Sequence, residues 1–318
     1  MTVKDLILNK LSYGEEISGE ALALEAGVSR AAVWKAIKRL RSEGYLIEAT
    51  QGHGYRLKND NRLCEGRIRS HLKSDLAVKV YDLVGSTNDE AARLASEAPK
   101  QDYLIVANEQ TAGQGRLGRT FISKSDTGLY MTLLLHPNIS AERATAVTVL
   151  AAVALKRVIE RQTALSPKIK WVNDLLYNGR KFAGILTKGS VDMENGALSY
   201  LTVGIGINVL DAPLDPKIKD IATSVETETG KAIDRSLLAA LITDEILELM
   251  PQLGSAEISE EYRESSMIIG EKINVIKPSE IYPAEVIGMD SDCRLLLRLE
   301  NGQSEILASG DVSIRKRQ

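Results

Sequence analysis

The sequence predicts an α+β protein in three parts, and three observations predict it. Over the first sixty residues, three short helical patterns precede an alternating hairpin pattern. From Val78 to about Met267 strand and helix patterns mix, and from Gly270 onward only short strands remain. The expected parts are residues 1–60, 61–269 and 270–318. A chain of 318 residues is long enough for two or three domains at roughly 100–200 residues each.

The first part opens with an amphipathic run, Val3 to Leu11, which ends before Gly14. Ser18 is placed to cap a second helix through Glu25, Gly27 permits a tight turn, and Ser29 caps a third helix that Gly44 stops. Two helices joined by a short glycine turn form a helix-turn-helix pattern. In the third helix Val33, Ile37 and Leu40 recur at helical spacing and make the buried stripe, leaving Arg30, Lys35, Lys38, Arg39 and Arg41 mainly outside. Tyr45 to Ala49, a turn at Gln51-Gly52-His53-Gly54 and Tyr55 to Leu57 make a hairpin, so the unit reads as a winged helix. A basic third helix beside a wing suits the DNA major groove and its flanking phosphates; a solvated basic face on a protein-interaction module is the plainer alternative.

Asn59-Asp60-Asn61 reads as a linker running into a basic helix. Strands are expected at Val78–Leu83, Tyr103–Asn108 and Leu129–Leu135, from Lys168, at Phe182–Lys188 and at Leu198–Val209. Helices are expected at Asn88–Glu97, Ala141–Glu160 and Ser236–Leu249, which together make a mixed-sheet α/β unit. Asn178-Gly179 is a strong hairpin turn. Past Gly270, four strands (272–276, 284–289, 294–299 and 304–307) between turn residues predict a small SH3-like β-barrel.

Composition narrows the chemistry. Cys64 and Cys293 are too few and too far apart for a disulfide framework or a zinc ribbon, and the chain is expected in the cytoplasm. His53, His71 and His136 have no ligand spacing, so no metal is expected to be held by protein side chains alone. No apolar run approaches the roughly 18–20 residues of a membrane span. A net charge of −3 argues against general polyanion binding but permits a local basic face.

Four segments carry the chemistry. Gly113, Gly115 and Gly118 satisfy GxGxxG, yet a loop-like stretch follows them where a dinucleotide fold needs a helix, so that reading fails. A glycine loop with Arg116 and Arg119 remains, suited to wrapping a phosphate-bearing ligand or else a bare surface loop. In Lys170-Trp171-Val172-Asn173-Asp174 and Arg180-Lys181-Phe182-Ala183-Gly184, Lys181 is either the first residue past a turn or a cation aimed at an anion. Asp174 could hold Mg²⁺ nearby or simply belong to the turn. In Gly85-Ser86-Thr87-Asn88, Ser86 or Thr87 could be an ordinary helix cap. Gly204 and Gly206 lie on one face of a strand and let something pack against the backbone.

Taken in order, from winged helix through Gly-Ser-Thr-Asn, the glycine loop, Lys-Trp-Val-Asn-Asp, Arg-Lys-Phe-Ala-Gly-Ile-Leu and Gly-Ile-Gly-Ile-Asn to a terminal barrel, the chain resembles the bifunctional biotin–protein ligases that are also biotin operon repressors. The resemblance spans essentially the whole sequence. It implies that biotin and ATP are joined, with Mg²⁺, to give biotinoyl-5′-adenylate and pyrophosphate, and that biotin then passes to a lysine of a biotin carboxyl carrier protein domain. It further implies that the adenylate acts as corepressor, favouring a homodimer that binds a two-fold operator.

By residue, the resemblance implies a biotin site of Ser86, Thr87, Asn88, Gln110, Gln114, Arg116, Lys181, Gly184, Gly204 and Gly206. It implies a nucleotide site of Arg116, Arg119, Phe121, Lys170, Asn173, Asp174, Lys181 and Asn208, with Phe121 stacked on adenine. Lys181, Arg116, Arg119 and Asp174 are the expected catalytic groups, Asp174 near the magnesium. Ser29, Arg30, Ala31, Trp34, Lys35, Lys38, His53 and Arg56 would meet DNA, although core packing is the favoured reading of Trp34. The scarce bulky aromatics, Phe121, Trp171, Phe182 and Trp34, are thus expected at the adenylate site and the DNA face. Two positions depart from the family pattern. Gln114 stands where an arginine is expected, which predicts weaker adenylate retention, and Val172 stands where a proline is expected. A ligase without DNA binding, a lipoate-type ligase and a biotin sensor without catalysis are the rival readings.

Overall fold

In the computed structural model of the chain, the structure describes residues 2–12, 15–42, 45–50, 53–58, 62–98, 100–191, 196–212, 214–277, 280–308 and 310–314. Helices α1 (Val3–Ser12), α2 (Gly19–Ala26) and α3 (Arg30–Ser42) precede a hairpin of β1 (Ile47–Thr50) and β2 (Gly54–Leu57). Ser18 caps α2 by accepting from the Ala21 amide at 3.0 Å, and Gly27 ends it at φ 62°. Ser29 Oγ likewise accepts from Ala32 N at 3.3 Å at the start of α3. Ile7, Leu11, Leu22, Val33, Ile37 and Leu40 bury together as a separate small core, each worth about 1.5–3 kcal/mol of transfer free energy. Gly54 packs against the α2 approach so tightly that a Cβ would meet the Ile17 carbonyl oxygen at 2.2 Å. The turn expected at Gln51-Gly52, the stops at Gly14 and Gly44, and the Asn59–Asn61 linker lie outside the described residues.

Arg62 joins this unit to the next. Its guanidinium lies 4.5 Å from the Tyr45 ring centroid and 3.3 Å from Asp82 Oδ1.

The central part comprises α4 (Glu65–His71), β3 (Ala77–Val84), α5 (Thr87–Glu97), β4 (Tyr103–Gln110), β5 (Gly128–Leu135), α6 (Ala144–Thr163), β6 (Lys168–Lys170), β7 (Asp174–Tyr177), β8 (Arg180–Val191), β9 (Leu198–Asn208), α7 (Val225–Thr229), α8 (Arg235–Leu249) and α9 (Ala256–Ser265). Its seven strands form one sheet in the order β3-β4-β5-β9-β8-β7-β6, with β3–β4 parallel and the other pairs antiparallel. All eight residues of β5 are buried because both faces are covered. On one face, Ala91, Leu94 and Ala95 of α5 pack with Ile105 and Leu134. Leu133 and Leu135 belong instead to the main core, which α6 and α8 supply from the other side. Asn178 and Gly179 both take positive φ, 50° and 75°, making the tight β7–β8 turn that the Asn-Gly pair predicts.

The C-terminal part corrects the expectation of a barrel. β10 (Lys272–Ile276), β11 (Ile281–Met289), β12 (Leu295–Leu299), β13 (Ser304–Leu307) and β14 (Asp311–Ile314) form a single sheet in the order β13-β12-β11-β10-β14. The two edges are β13 and β14, and among the described residues no pairing joins them, so the sheet stays open. Strand spacing and turn residues predict successive hairpins, but closure depends on where the last strand lands. β14, absent from the sequence expectation, pairs with β10 at the far edge from β13. Among the described residues no helix is long and apolar enough to cross a membrane.

Candidate active site and basic helix face

The glycine loop and the β8–β9 face enclose a cavity of about 500 Å³. One end is polar and begins at α5. Ser18, Ser224 and Ser255 all spend their side chains capping the helices they precede; Ser86, at the equivalent place before α5, does not. Its Oγ is buried without a hydrogen-bond partner, as is Asn88 Oδ1. The helix-cap alternative is therefore not realised at Ser86. Thr87 is tied instead to Gln110, whose Oε1 accepts from Thr87 N at 2.8 Å and Oγ1 at 3.0 Å. Gln110 Nε2 donates to Ser123 Oγ, and Thr132 donates to Thr87 from β5. Asn88 sits so close to β9 that a Cβ on Gly204 would meet its Nδ2 at 2.2 Å. Asn88 and Gln110 line the cavity, whereas Ser86 and Thr87 are buried and are not part of its lining.

The glycine loop folds back on itself. Gly113 accepts from Phe121 N at 2.9 Å, Gly115 N donates to Arg119 O at 2.7 Å, a single 3₁₀ turn, Arg116–Gly118, contains the third glycine, and no helix follows it before β5. That agrees with the rejection of a dinucleotide fold. Arg116 reaches the C-terminal sheet, donating to the Gly310 carbonyl at 2.8 Å and lying 3.3 Å from Asp311 Oδ1. Arg119 Nη1 is 2.8 Å from the same carboxylate. Asp311 had no local signal in the sequence, since its partners lie nearly two hundred residues earlier.

The opposite wall is β7 and β8. Lys181 Nζ stands 2.7 Å from Asp174 Oδ1 and 6.0 Å from the Phe121 ring centroid; it lies just past the β7–β8 turn and lines the cavity. A Cβ at Gly184 would lie 2.9 Å from Lys181 Nζ, and one at Gly206 would meet the Phe121 ring at 2.6 Å. Bare glycine at these places lets the lysine and the aromatic lie flat on the sheet. Asn173 Nδ2 donates to the Ile185 carbonyl, and Asn208 Nδ2 donates to that of Thr223. Lys170, Asn173, Asp174 and Asn208 all line the cavity. Behind them, Tyr262 of α9, fully buried, donates to the Val172 carbonyl at 2.9 Å, and the Trp171–Val172 peptide is cis. Burial holds the Tyr262 hydroxyl well above the usual phenol range. Trp171 does not line the cavity: it is 4% exposed, and its indole N–H donates to the Cys293 carbonyl. The grouping of all the bulky aromatics at ligand surfaces fails for this one.

A segment not anticipated covers the cavity mouth. Ile221 O accepts from Lys181 N, Thr223 N donates to Lys181 O, and Ile218, Ile221 and Ala222 join the lining. The cavity thus combines a buried polar end, a cation between an aromatic ring and a carboxylate, two arginines and an apolar cover. Among the described residues no cluster of three or more His, Cys, Asp or Glu could hold a metal.

On α3, Arg30, Ala31, Trp34, Lys35 and Lys38 are all exposed and lie on the face opposite Val33, Ala36, Ile37 and Leu40; Ser29, His53 and Arg56 are exposed as well. Trp34 is 54% exposed with Lys38 Nζ 5.3 Å from its ring, so the core-packing alternative is not what the fold adopts. Arg41, by contrast, is used within the unit, donating to the Ile47 carbonyl at 2.9 Å.

Three family descriptions match in chain order: "HTH domain" over residues 4–56, "Biotin/lipoate A/B protein ligase family" over 80–208, and "Biotin protein ligase C terminal domain" over 268–315. The chain is similar to the bifunctional ligase/repressor BirA of Bacillus spizizenii, at 35% identity over 98% of both chains. It is also similar to that of Escherichia coli, at 28% identity over 99% of this chain and 98% of the relative. Among solved structures it is similar to a biotin protein ligase of Aquifex aeolicus in complex with biotin and ATP, at 26% identity and TM-score 0.62, covering 76% of this chain and 99% of the other. With the three family matches in chain order and 35% identity over 98% of both chains, the chain belongs to the family of bifunctional biotin–protein ligase/repressors.

Proposed function

We propose that this protein is an ATP-dependent biotin–protein ligase that joins biotin to ATP as biotinoyl-5′-adenylate, releasing pyrophosphate, and transfers biotin to a lysine of a carrier domain. The observation that carries the reading is Lys181, 2.7 Å from Asp174 inside the cavity and backed by the glycine loop with Arg116 and Arg119. Biotin's carboxylate is ionised near neutral pH, so the first step needs no general base. It needs two anions held together and the charge on the α-phosphate neutralised. Lys181 would bridge carboxylate and phosphate, and Arg116 and Arg119 would exchange Asp311 for the nucleotide's oxygens.

Asn88 Oδ1, buried and unpaired on a residue that lines the cavity, with Gln110 in the same lining and the unpaired Ser86 Oγ two residues before Asn88, favours a ligand whose buried head is polar. That supports a ureido ring over the apolar dithiolane of a lipoate-type substrate. The backbone of Gln114 would lie along the ligand, Gly184, Gly204 and Gly206 would form its floor, and Phe121 would stack on adenine with Lys170, Asn173 and Asn208 near the nucleotide. Mg²⁺ usually binds one or two carboxylates together with substrate phosphates, and Asp174 fits such a site; the ion would neutralise phosphate charge when bound.

The parts divide the labour. Residues 1–60 would bind operator DNA through Ser29, Arg30, Ala31, Trp34, Lys35 and Lys38, with His53 and Arg56 from the wing; 61–269 would carry the ligase; and 270–318 would brace the arginine loop through Asp311. The adenylate would serve as corepressor and favour a homodimer. The test is incubation with biotin, ATP, Mg²⁺ and a biotin-carrier domain, scored by mass: one added biotinoyl group is expected, and no mass gain would overturn the ligase reading. Pyrophosphate exchange stimulated by lipoate and not biotin would favour the lipoate-type enzyme. Transfer with no biotin-dependent shift of the operator fragment would leave a ligase alone.

A further inference from the structure

Gln114 occupies the place of a family arginine, and the loss of that charge predicts a looser grip on the adenylate. The geometry points the other way. The Gln114 side chain reaches across the rim of the cavity: its Nε2 donates to Asp89 Oδ2 at 2.7 Å, and its Oε1 accepts from Lys188 Nζ. Asp89 stands in the first turn of α5, one residue after Asn88, and Lys188 stands on β8, four residues after Gly184. One carboxamide therefore ties the glycine loop to the two segments that form the polar end and the cation wall. A primary amide can donate to an acid and accept from an ammonium at once. An arginine could reach Asp89 but has no acceptor to offer and would repel Lys188.

We propose that Asp89, Gln114 and Lys188 form a clasp that holds the glycine loop against both walls and slows escape of the bound acyl-adenylate, with Gln114 and Lys188 as positioning residues. Lys188 places on β8 the positive charge that residue 114 lacks. The loop's own backbone bonds, Gly115 N to Arg119 O and Phe121 N to Gly113 O, keep its short hairpin together, so fixing residue 114 fixes the whole loop. A mixed anhydride of a carboxylic acid and AMP is exposed to water whenever its cover opens, so a clasp acts on retention more than on the rate of its formation.

This inference rests on the ligase reading, and two measurements separate them. In the first, full-length protein is loaded with labelled biotin and ATP, chased with unlabelled biotin in the presence of pyrophosphatase, and followed for release of biotinoyl-adenylate. Lys188→Met and Asp89→Ala should release it about 3- to 10-fold faster, the scale of one or two partly exposed, charge-assisted hydrogen bonds. The maximal rate of adenylate formation should stay unchanged in both. Asp89→Asn keeps an acceptor for the amide and should restore slow release. Wild-type release from both Lys188→Met and Asp89→Ala would overturn the clasp even if ligation is intact. The second needs no ligand: trypsin should cut after Arg116 or Arg119 faster in Lys188→Met than in the parent protein. Equal cutting would overturn the clasp even in a protein that makes no adenylate.

Discussion

The cavity of the central sheet and the exposed face of α3 both concentrate positive charge, but they hold it differently. In the cavity three of the cations already have an acid: Lys181 pairs with Asp174, and Arg116 and Arg119 share Asp311. On α3, Arg30, Lys35 and Lys38 have no acidic partner among the described residues, and Lys38 rests on Trp34. Part of the difference follows from burial: Arg116 is 24% and Asp311 14% exposed, although Arg119 is itself 63% exposed. A charge in a partly enclosed site is costly unless paired, so anions accompany the cations there. A charge in water stands alone at little cost and gains when a polyanion releases its counterions. Enclosed cations can thus set geometry for one small ligand, while exposed ones add affinity along a backbone.

The two tryptophans give the largest contrast. Trp171 packs behind the cavity wall and donates to the Cys293 carbonyl, whereas Trp34 is more than half exposed. Trp171→Ala should cost about 3–5 kcal/mol of unfolding free energy, and Trp34→Ala about 0.5 kcal/mol or less. Denaturant melts of the two variants measure both. A large loss in Trp34→Ala would mean that the helix face is covered and that the comparison is drawn in the wrong place.

Next in size is Lys181→Ala. Removing a preorganised cation from an enclosed site typically costs about 10²–10³ in rate, and the fold should be intact because Lys181 lies outside the core. Biotin-dependent ATP–pyrophosphate exchange reads the effect, and a variant with wild-type exchange would remove Lys181 from the chemistry. Gly206→Ala sharpens the same site more gently. The new methyl would fall 2.6 Å from the Phe121 ring, so the ring must shift. The expected outcome is an ATP KM raised roughly tenfold, about the effect of misplacing one contact in a bound geometry, with biotin binding less changed. If only biotin binding suffers, Phe121 is not at the nucleotide.

Legibility in the sequence divides along the same line. The α3 face could be read from local spacing because Val33, Ile37 and Leu40 face one way and the basic residues the other, and a helix is fixed by its neighbours three and four positions away. Gly-Ser-Thr-Asn, the glycine loop and Lys181 could be read because each packs unusual residue types into a short stretch. Asp311, Tyr262 and the Ile218–Ala222 cover could not. Each is an ordinary residue type in an unremarked segment, and each matters only through a partner more than thirty residues away in sequence. The open C-terminal sheet belongs with them: hairpins are local, but which edge receives β14 is not. Ser86 is an intermediate case, since its position reads as a helix cap and only the structure shows its hydroxyl buried and not spent on one.

The smallest expected effect is also the most diagnostic of the exposed face. Lys38 is a solvated cation whose role in binding would be one phosphate contact, so Lys38→Ala should weaken operator binding only about 3- to 10-fold. The slope of log affinity against log salt should fall by about 1. Because every DNA sequence carries phosphates, specific and non-specific fragments should lose affinity alike, whereas loss of a base-reading group would flatten the preference for the operator. Ligation should be unchanged, since Lys38 lies in the winged unit and the cavity is built wholly from the central and C-terminal parts. An unchanged salt slope would mean that Lys38 does not meet phosphate and that its free charge is mere solvation. A fall in ligation would mean that the exposed face and the cavity, for all their difference in construction, are energetically one site.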